Sequence, residues 1–359
     1  MKRLVRVTLA ATVAGAIALS LVACGSSSNK GGGAATTNGA GTAANSANGG
    51  TGGASQPGGA NSSDSAKALT IGFVPGIASD PFFLAMKLGA QAEADKLGVK
   101  LLWQGAANEY SPQSQLPFVN TLLAQHVDGL ALVPTDPDAL QPSVDKAKSL
   151  NIPVVTVDTT VTDKSYLTSA ITGDSENGGK LAAQTLAEQI GDAGQVFIIS
   201  GSPTATTDVL RAKGFSEELK NHPNIQLVGT EYANSQPAKA TSAVNTALLK
   251  YPNLKGIFAV DGTAGTGAVA ALRNSGKVGK VNLIGYDAYS TEIADLQSGV
   301  FSALIAQQPG KEAQLAIDYL VATLRGEDTS GIQKDVVLPN IVITKANYAQ
   351  TKQYEYPTS

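Results

Sequence analysis

The chain has 359 residues, about two domains' worth. Its net charge of −3 and 15 % charged residues exclude the basic footprint of a nucleic-acid binder, and 43 % apolar content builds a core without fitting a polytopic membrane protein. One cysteine excludes an intrachain disulfide and a cysteine-based zinc site, and two histidines, His126 and His222, leave little for a metal or an imidazole base.

Residues 1–24 open with Lys2, Arg3 and Arg6 and continue through an apolar stretch from Val7 to Ala23, the outline of a secretory signal. Leu21-Val22-Ala23-Cys24 resembles the bacterial lipobox, whose cysteine is lipidated and becomes the new N-terminus. The only cysteine stands where that motif needs it. A diacylglyceryl group at Cys24 supplies the two acyl chains that stable anchoring generally takes. Residues 25–66 hold 12 Gly, 9 Ala and 8 Ser, and no Val, Leu, Ile, Phe, Tyr or Trp. Such a segment has nothing to bury against its ordering entropy, so it is expected to be a disordered tether spanning about 35 Å r.m.s.. The globular body then begins at residue 67.

From residue 68 short apolar runs alternate with amphipathic stretches. Strands are expected at Leu69–Val74, Lys100–Gln104, Gly129–Val133, Pro153–Asp158 and Ser169–Thr172. A second set follows at Gln195–Ser200, Gln226–Gly229, Gly256–Val260, Asn282–Tyr286 and Ser302–Ala306. Val154-Val155-Thr156-Val157 is apolar on both faces, as parallel strands covered by helices are. Helices are expected near 81–97, 112–126, 138–150, 176–190, 206–221, 238–250, 265–275, 289–297 and 310–325, with Asp136 as an N-cap before Pro137. The alternation implies α/β units with parallel sheets and right-handed crossovers. Five strands before residue 174 and five after it predict two doubly wound lobes, whose strand carboxyl ends surround one cleft.

Polar residues stand at those ends. The first strand leads to Asp80-Pro81-Phe82-Phe83; later strands end at Asp158-Thr159, Asp261, Asp287 and Gln307; Arg211 lies in the helix after Gln195–Ser200. Carboxylates accept from vicinal hydroxyls, a guanidinium donates in a fixed fork, and aromatic faces cover the apolar face of a sugar ring. The inventory suits a neutral polyol. A strand-end Asp can also be a helix cap, and one or two of these are expected to be. Trp103, ending the second strand, and Tyr286 are candidates for a ring-stacking surface, with ordinary packing as the alternative.

Asp80-Pro81-Phe82-Phe83, Gly89-Ala90 and Ala94-Asp95-Lys96-Leu97-Gly98 resemble the opening of ribose-type (type I) periplasmic sugar-binding proteins of ABC transporters. Pro134-Thr135-Asp136, Asn151 to Asp158, Gly178-Gly179-Lys180, Arg211 to Phe215, Ile284 to Asp287 and Ile305 to Gln307 follow in the family's order, so the resemblance covers about 68–345. It implies two Rossmann-like lobes joined by a three-strand hinge: residues 67–173 with 308–335, and 174–307 with 336–359. Crossovers would lie near Gly173, Gln307 and Asp335. It also implies ligand positions at Phe82, Phe83, Asp158, Arg211, Asp287 and Gln307. The sequence departs from the family at Asp80 and Val133, each an Asn there, at Thr159, often an Arg, and at Asp261-Gly262 for Asn-Asp. Fewer cations and more carboxylates argue against ribose itself. They leave open another pentose, a hexose, a polyol or a ligand with a basic group.

What the resemblance implies is a monomeric, lipid-anchored, extracytoplasmic protein that delivers a sugar or polyol to ABC permease subunits, with no cofactor, metal or nucleic acid. Docking on a membrane signalling receptor, or binding of a non-sugar ligand such as a quorum signal, is the alternative. An enzyme is not expected: His126 enters a strand and His222 sits in a turn, with no paired nucleophile. Gly262-Thr263-Ala264-Gly265-Thr266-Gly267 is not G-x-G-x-x-G and reads as a tight turn with small residues for helix packing. A sugar-sensing repressor would carry a basic helix-turn-helix where this chain has its lipobox and tether.

Overall fold

The computed structural model describes residues 68–357; the signal, the lipobox and the whole of the expected tether lie outside the described residues. The first five strands are β1 (Thr70–Val74), β2 (Lys100–Trp103), β3 (Gly129–Leu132), β4 (Val154–Val157) and β5 (Ser169–Gly173), interleaved with α1 (Pro81–Leu97), α2 (Pro112–Ala124) and α3 (Gln141–Ser149). Then follow α4 (Ser175–Ile190), β6 (Gly194–Ser200), α5 (Thr206–Glu218), β7 (Ile225–Tyr232), α6 (Pro237–Lys250), β8 (Leu254–Ala259), α7 (Gly262–Asn274), β9 (Asn282–Tyr286), α8 (Ser290–Gln297) and β10 (Ala303–Ala306). The chain closes with α9 (Pro309–Arg325), β11 (Asp335–Leu338), β12 (Ile341–Ile343) and the short α10 (Tyr348–Thr351).

Two six-stranded sheets result. The first runs β11-β5-β4-β3-β1-β2, parallel throughout. The second runs β12-β10-β9-β8-β6-β7, with β12 alone antiparallel. Every residue of β3, β4 and β10 is buried, because helices cover both faces of a crossover-connected sheet. The chain leaves the first sheet after Gly173, returns after Ala306, and crosses a last time at Pro339-Asn340. The last crossing was expected near Asp335. Asp335–Leu338 instead adds to β5 as a parallel edge strand, which keeps it in the first sheet.

Helix α9 belongs to the first lobe although it follows the second in sequence. It buries Ala313, Ala316, Ile317, Leu320 and Val321, an i, i+3, i+4, i+7, i+8 stripe, against β3, β4 and β5 and lies along α1. Fully burying Ile317, Leu320 or Val321 is worth about 1.5–3 kcal/mol each. In the second lobe α4 and α5 touch backbone to backbone. A Cβ on Gly179 would fall 2.0 Å from the Arg211 carbonyl oxygen, and one on Gly214 1.9 Å from that of Glu176. Two motifs far apart in sequence are thus one contact, and it sets where α5 presents its polar face. The turn before α3 differs from expectation: Asp136 accepts from the amides of Asp138 and Ala139, capping an isolated turn, and the helix starts only at Gln141.

Candidate functional site

The carboxyl ends of β1, β4, β8, β9 and β10 converge with the start of α5 on one cleft between the lobes. Its lining includes Asp80, Phe82, Phe83, Asp158, Arg211, Asp261, Asp287 and Gln307, around about 470 Å³ of empty space.

Asp158 and Asp287 end β4 and β9 with left-handed backbones, φ 65° and 81°. This conformation is unfavourable for residues with a Cβ but open to Asp, and here it turns each carboxylate off the strand into the cleft. Asp158 Oδ1 is buried and no described group donates to it. Asp287 is held fast. Oδ2 accepts from the Gly262 amide at 3.2 Å; Oδ1 accepts from Gln307 Nε2 at 2.8 Å and the Tyr356 hydroxyl at 3.0 Å.

Arg211 is the cleft's one lining cation among the described residues. Its guanidinium lies 3.8 Å from the centroid of the Tyr286 ring, and Nη1 donates to the Val260 carbonyl at 3.1 Å. Asp208, one turn earlier on α5, comes within 3.9 Å of Nη1 and accepts from the Ser202 amide at 2.6 Å. The buried ring beneath it holds the guanidinium at the edge of the cleft.

Asp80 and Asp261 have two jobs each. Asp80 caps α1 through the Phe82 amide at 2.8 Å, and the same oxygen accepts from the Tyr289 hydroxyl of the other lobe at 2.8 Å. Asp261 caps α7 through the Ala264 amide at 2.7 Å. Both are therefore the caps the sequence allowed for, and both also line the cleft. Phe82 and Phe83 stand edge to face at 5.1 Å between centroids. Tyr110 meets Phe83 over Gly76, where a Cβ would lie 2.5 Å from one ring and 2.8 Å from the other.

Burial pushes the carboxyls up. It raises Asp80 to about 7, with Asp287 and Asp261 adding to the rise and hydrogen bonds from Tyr289 and Phe82 opposing it. Burial also raises Asp158 to about 7 and Asp208 to about 8, against the pull of Arg211 in both cases. Asp287 rises for the same reason, opposed by Arg211, Gln307 and Tyr356. The cleft is thus rich in acceptors, short of donors and partly apolar, which matches a small molecule dense in hydroxyls.

Three residues expected in the site are elsewhere. Trp103 packs on Phe73 at 4.6 Å between centroids, because its side of β2 faces the helix layer. Thr159 is buried and donates to the Pro134 carbonyl at 2.7 Å, tying two strand ends together. Tyr286 is fully buried beneath Arg211, supporting that side chain rather than lining the cleft. Conversely, Tyr110, Asp208, Tyr289 and Ser235 line the cleft and Tyr356 reaches Asp287, all unforeseen. Asp208 was within reach of reasoning, standing three residues before Arg211 on one helix face. The others come from loops and the C-terminal tail and carry no local signal.

Residues 71–328 match the family model of the periplasmic binding protein domain. The chain is 29 % identical over 279 residues to the ribose import binding protein RbsB of Bacillus subtilis (strain 168), covering 78 % of this chain and 88 % of that protein. Among solved structures it resembles an ABC transporter solute-binding protein from Agrobacterium vitis bound with α-D-tagatopyranose (TM-score 0.77, 28 % identity, 80 % of this chain and 99 % of that one). It also resembles an ABC transporter periplasmic solute-binding protein from Actinobacillus succinogenes 130z with bound D-allose (TM-score 0.73, 29 % identity, 80 % and 100 %).

Proposed function

Because the chain belongs to the periplasmic binding protein family, we propose that it captures a sugar or polyol in the interlobe cleft and delivers it to an ABC permease. The observation that carries this reading is that Asp158 and Arg211, from opposite lobes, line one cleft with Asp287 and the Phe82–Phe83 wall. A ligand that bridges the lobes holds the cleft shut, and closure is driven by its higher affinity for the closed state. The named ligands of the similar proteins, ribose, tagatose and allose, point to the same chemical class. The protein works outside the cytoplasm, anchored by a lipid on Cys24 with residues 25–66 as a spacer, and acts as a monomer.

The ligand positions are Asp158, Arg211, Asp287, Gln307, Phe82 and Phe83, with Asp80 and Asp261 tuning which sugar fits. A thermal-shift screen over pentoses, hexoses and polyols tests the reading. At least one should raise the melting temperature in a saturable way, as any ligand of the folded state does. No response to any of them would refute it.

A further inference from the structure

The three crossings between the lobes bring Gly173, Gln307 and Asn340 together, and the first turn of α9 adds Glu312. Gln307 Oε1, Asn340 Oδ1 and Glu312 Oε1 lie 3.1, 3.6 and 3.7 Å from the point a Cβ on Gly173 would occupy. All are buried oxygens, and among the described residues no side chain or backbone group donates to them or to Glu312 Oε2. The amide orientations are settled by their other ends. Gln307 Nε2 donates to Asp287 Oδ1 at 2.8 Å, and Asn340 Nδ2 donates to the Asp174 carbonyl at 2.7 Å. Four acceptors therefore share one place, and the nitrogen of each carboxamide is turned to an acceptor elsewhere. Buried acceptors without a donor are costly. Of the four oxygens gathered here, only those of the Glu312 carboxyl can become donors, by holding a proton.

We propose that Glu312 is a positioning residue of the hinge: its carboxyl keeps a proton in the folded protein and donates it, across no more than one water, to the Gln307–Asn340 oxygens. The Gln307 amide then stays turned toward Asp287, and a side chain outside the cleft holds a cleft residue in register with all three crossings.

The surroundings agree. Glu312 is fully buried. The strands packed against α9, β3 to β5, carry no ionisable side chain, and α1 meets the first turn of α9 through Gly89 at Gly310. The charged groups that face Glu312 are Asp158, Arg211 and Asp287. Burial and the two aspartates raise its titration well above the usual range; Arg211 opposes them but is already held by Tyr286, Val260 and Asp208.

The test compares the full chain with Glu312→Gln, a neutral isostere that keeps one donor end, and Glu312→Met, which keeps the volume and no donor. A carboxyl raised in the folded state contributes stability below its unfolded value of about 4.3 and loses it as pH rises toward the folded value. As pH rises above the unfolded value, the folding equilibrium constant of the wild type should fall relative to Glu312→Gln, by up to about tenfold per pH unit. Glu312→Met should be less stable than Glu312→Gln throughout. Parallel pH profiles for wild type and Glu312→Gln, a Glu312→Gln chain that does not fold, or a Glu312→Met chain at least as stable as Glu312→Gln would each overturn the proposal.

Discussion

Replacing Arg211 by methionine removes the cation and keeps most of the volume, which separates charge from packing. In the structure Arg211 offsets Asp158, Asp208 and Asp287, all of them buried. Removing one partner from a buried charge set costs about 3–5 kcal/mol. The desolvated stack on Tyr286 is worth about 2 kcal/mol of that loss. The two parts respond differently to pH. Asp158 titrates at about 7 and Asp208 at about 8 with Arg211 present, and losing it moves both higher. A carboxyl raised in the folded state contributes stability below its unfolded value of about 3.9 and loses it as pH climbs through the folded value. Without Arg211 that loss runs on to higher pH. Near about pH 6 the carboxyls take up protons, and Arg211→Met should cost about 2 kcal/mol, the stack alone. Near about pH 8.5 it should cost about 3–5 kcal/mol. Urea denaturation at both pH values measures the difference. An equal penalty at the two, or one below about 1 kcal/mol at the higher pH, would refute the picture of a single cation neutralising a buried carboxylate set.

Asp158→Ala and Asp287→Ala should each weaken binding of the sugar found by screening by about fivefold to 150-fold, since a missing partner leaves about 1–3 kcal/mol of polar interaction unmade. Calorimetry on folded variants decides; affinities within about threefold of wild type would count against the site. Gly179→Ala forces a Cβ to within 2.0 Å of the Arg211 carbonyl, so it should destabilise the protein by about 1–3 kcal/mol and displace Arg211. An unchanged melting temperature with unchanged ligand affinity would contradict the close contact. Expressed in a bacterium that processes lipoproteins, the wild type should partition with membranes and Cys24→Ala should not; equal solubility of the two excludes the lipid anchor.

The strands were legible because helices cover both faces, which writes β3, β4 and β10 as unbroken apolar runs. Strands β11 and β12 were not. Each is a short edge strand, and β11 is half exposed, so it lacks both the run and the alternation that mark longer strands. Of the expected site residues that line the cleft, all but Arg211 stand beside strand or helix ends, where position follows from order along the chain. Those that lie outside its lining depend on side-chain direction. Tyr286 points under Arg211 and Thr159 back to Pro134, and neither direction is encoded in a residue's neighbours in sequence. Tyr289 and Tyr356 add the second difficulty. They reach Asp80 and Asp287 across the fold, at partners set only by tertiary packing.

The return of α9 and β11 to the first sheet has a consequence for how the molecule is made. While the chain emerges from a ribosome or a translocation pore, β1 to β5 can pair early, yet the face that α9 covers stays bare until the whole second lobe has followed. Contacts of such long sequence separation form late and slowly. The unfinished lobe therefore shows apolar surface for an extended time, which makes it a natural client of a holding chaperone and a poor candidate for premature folding. For the same reason a chain truncated before Pro309 should not yield a soluble first lobe, although that piece contains five of the sheet's six strands. Dissecting the protein into independent halves would need a circular permutation that joins residues 309–338 directly to the first lobe.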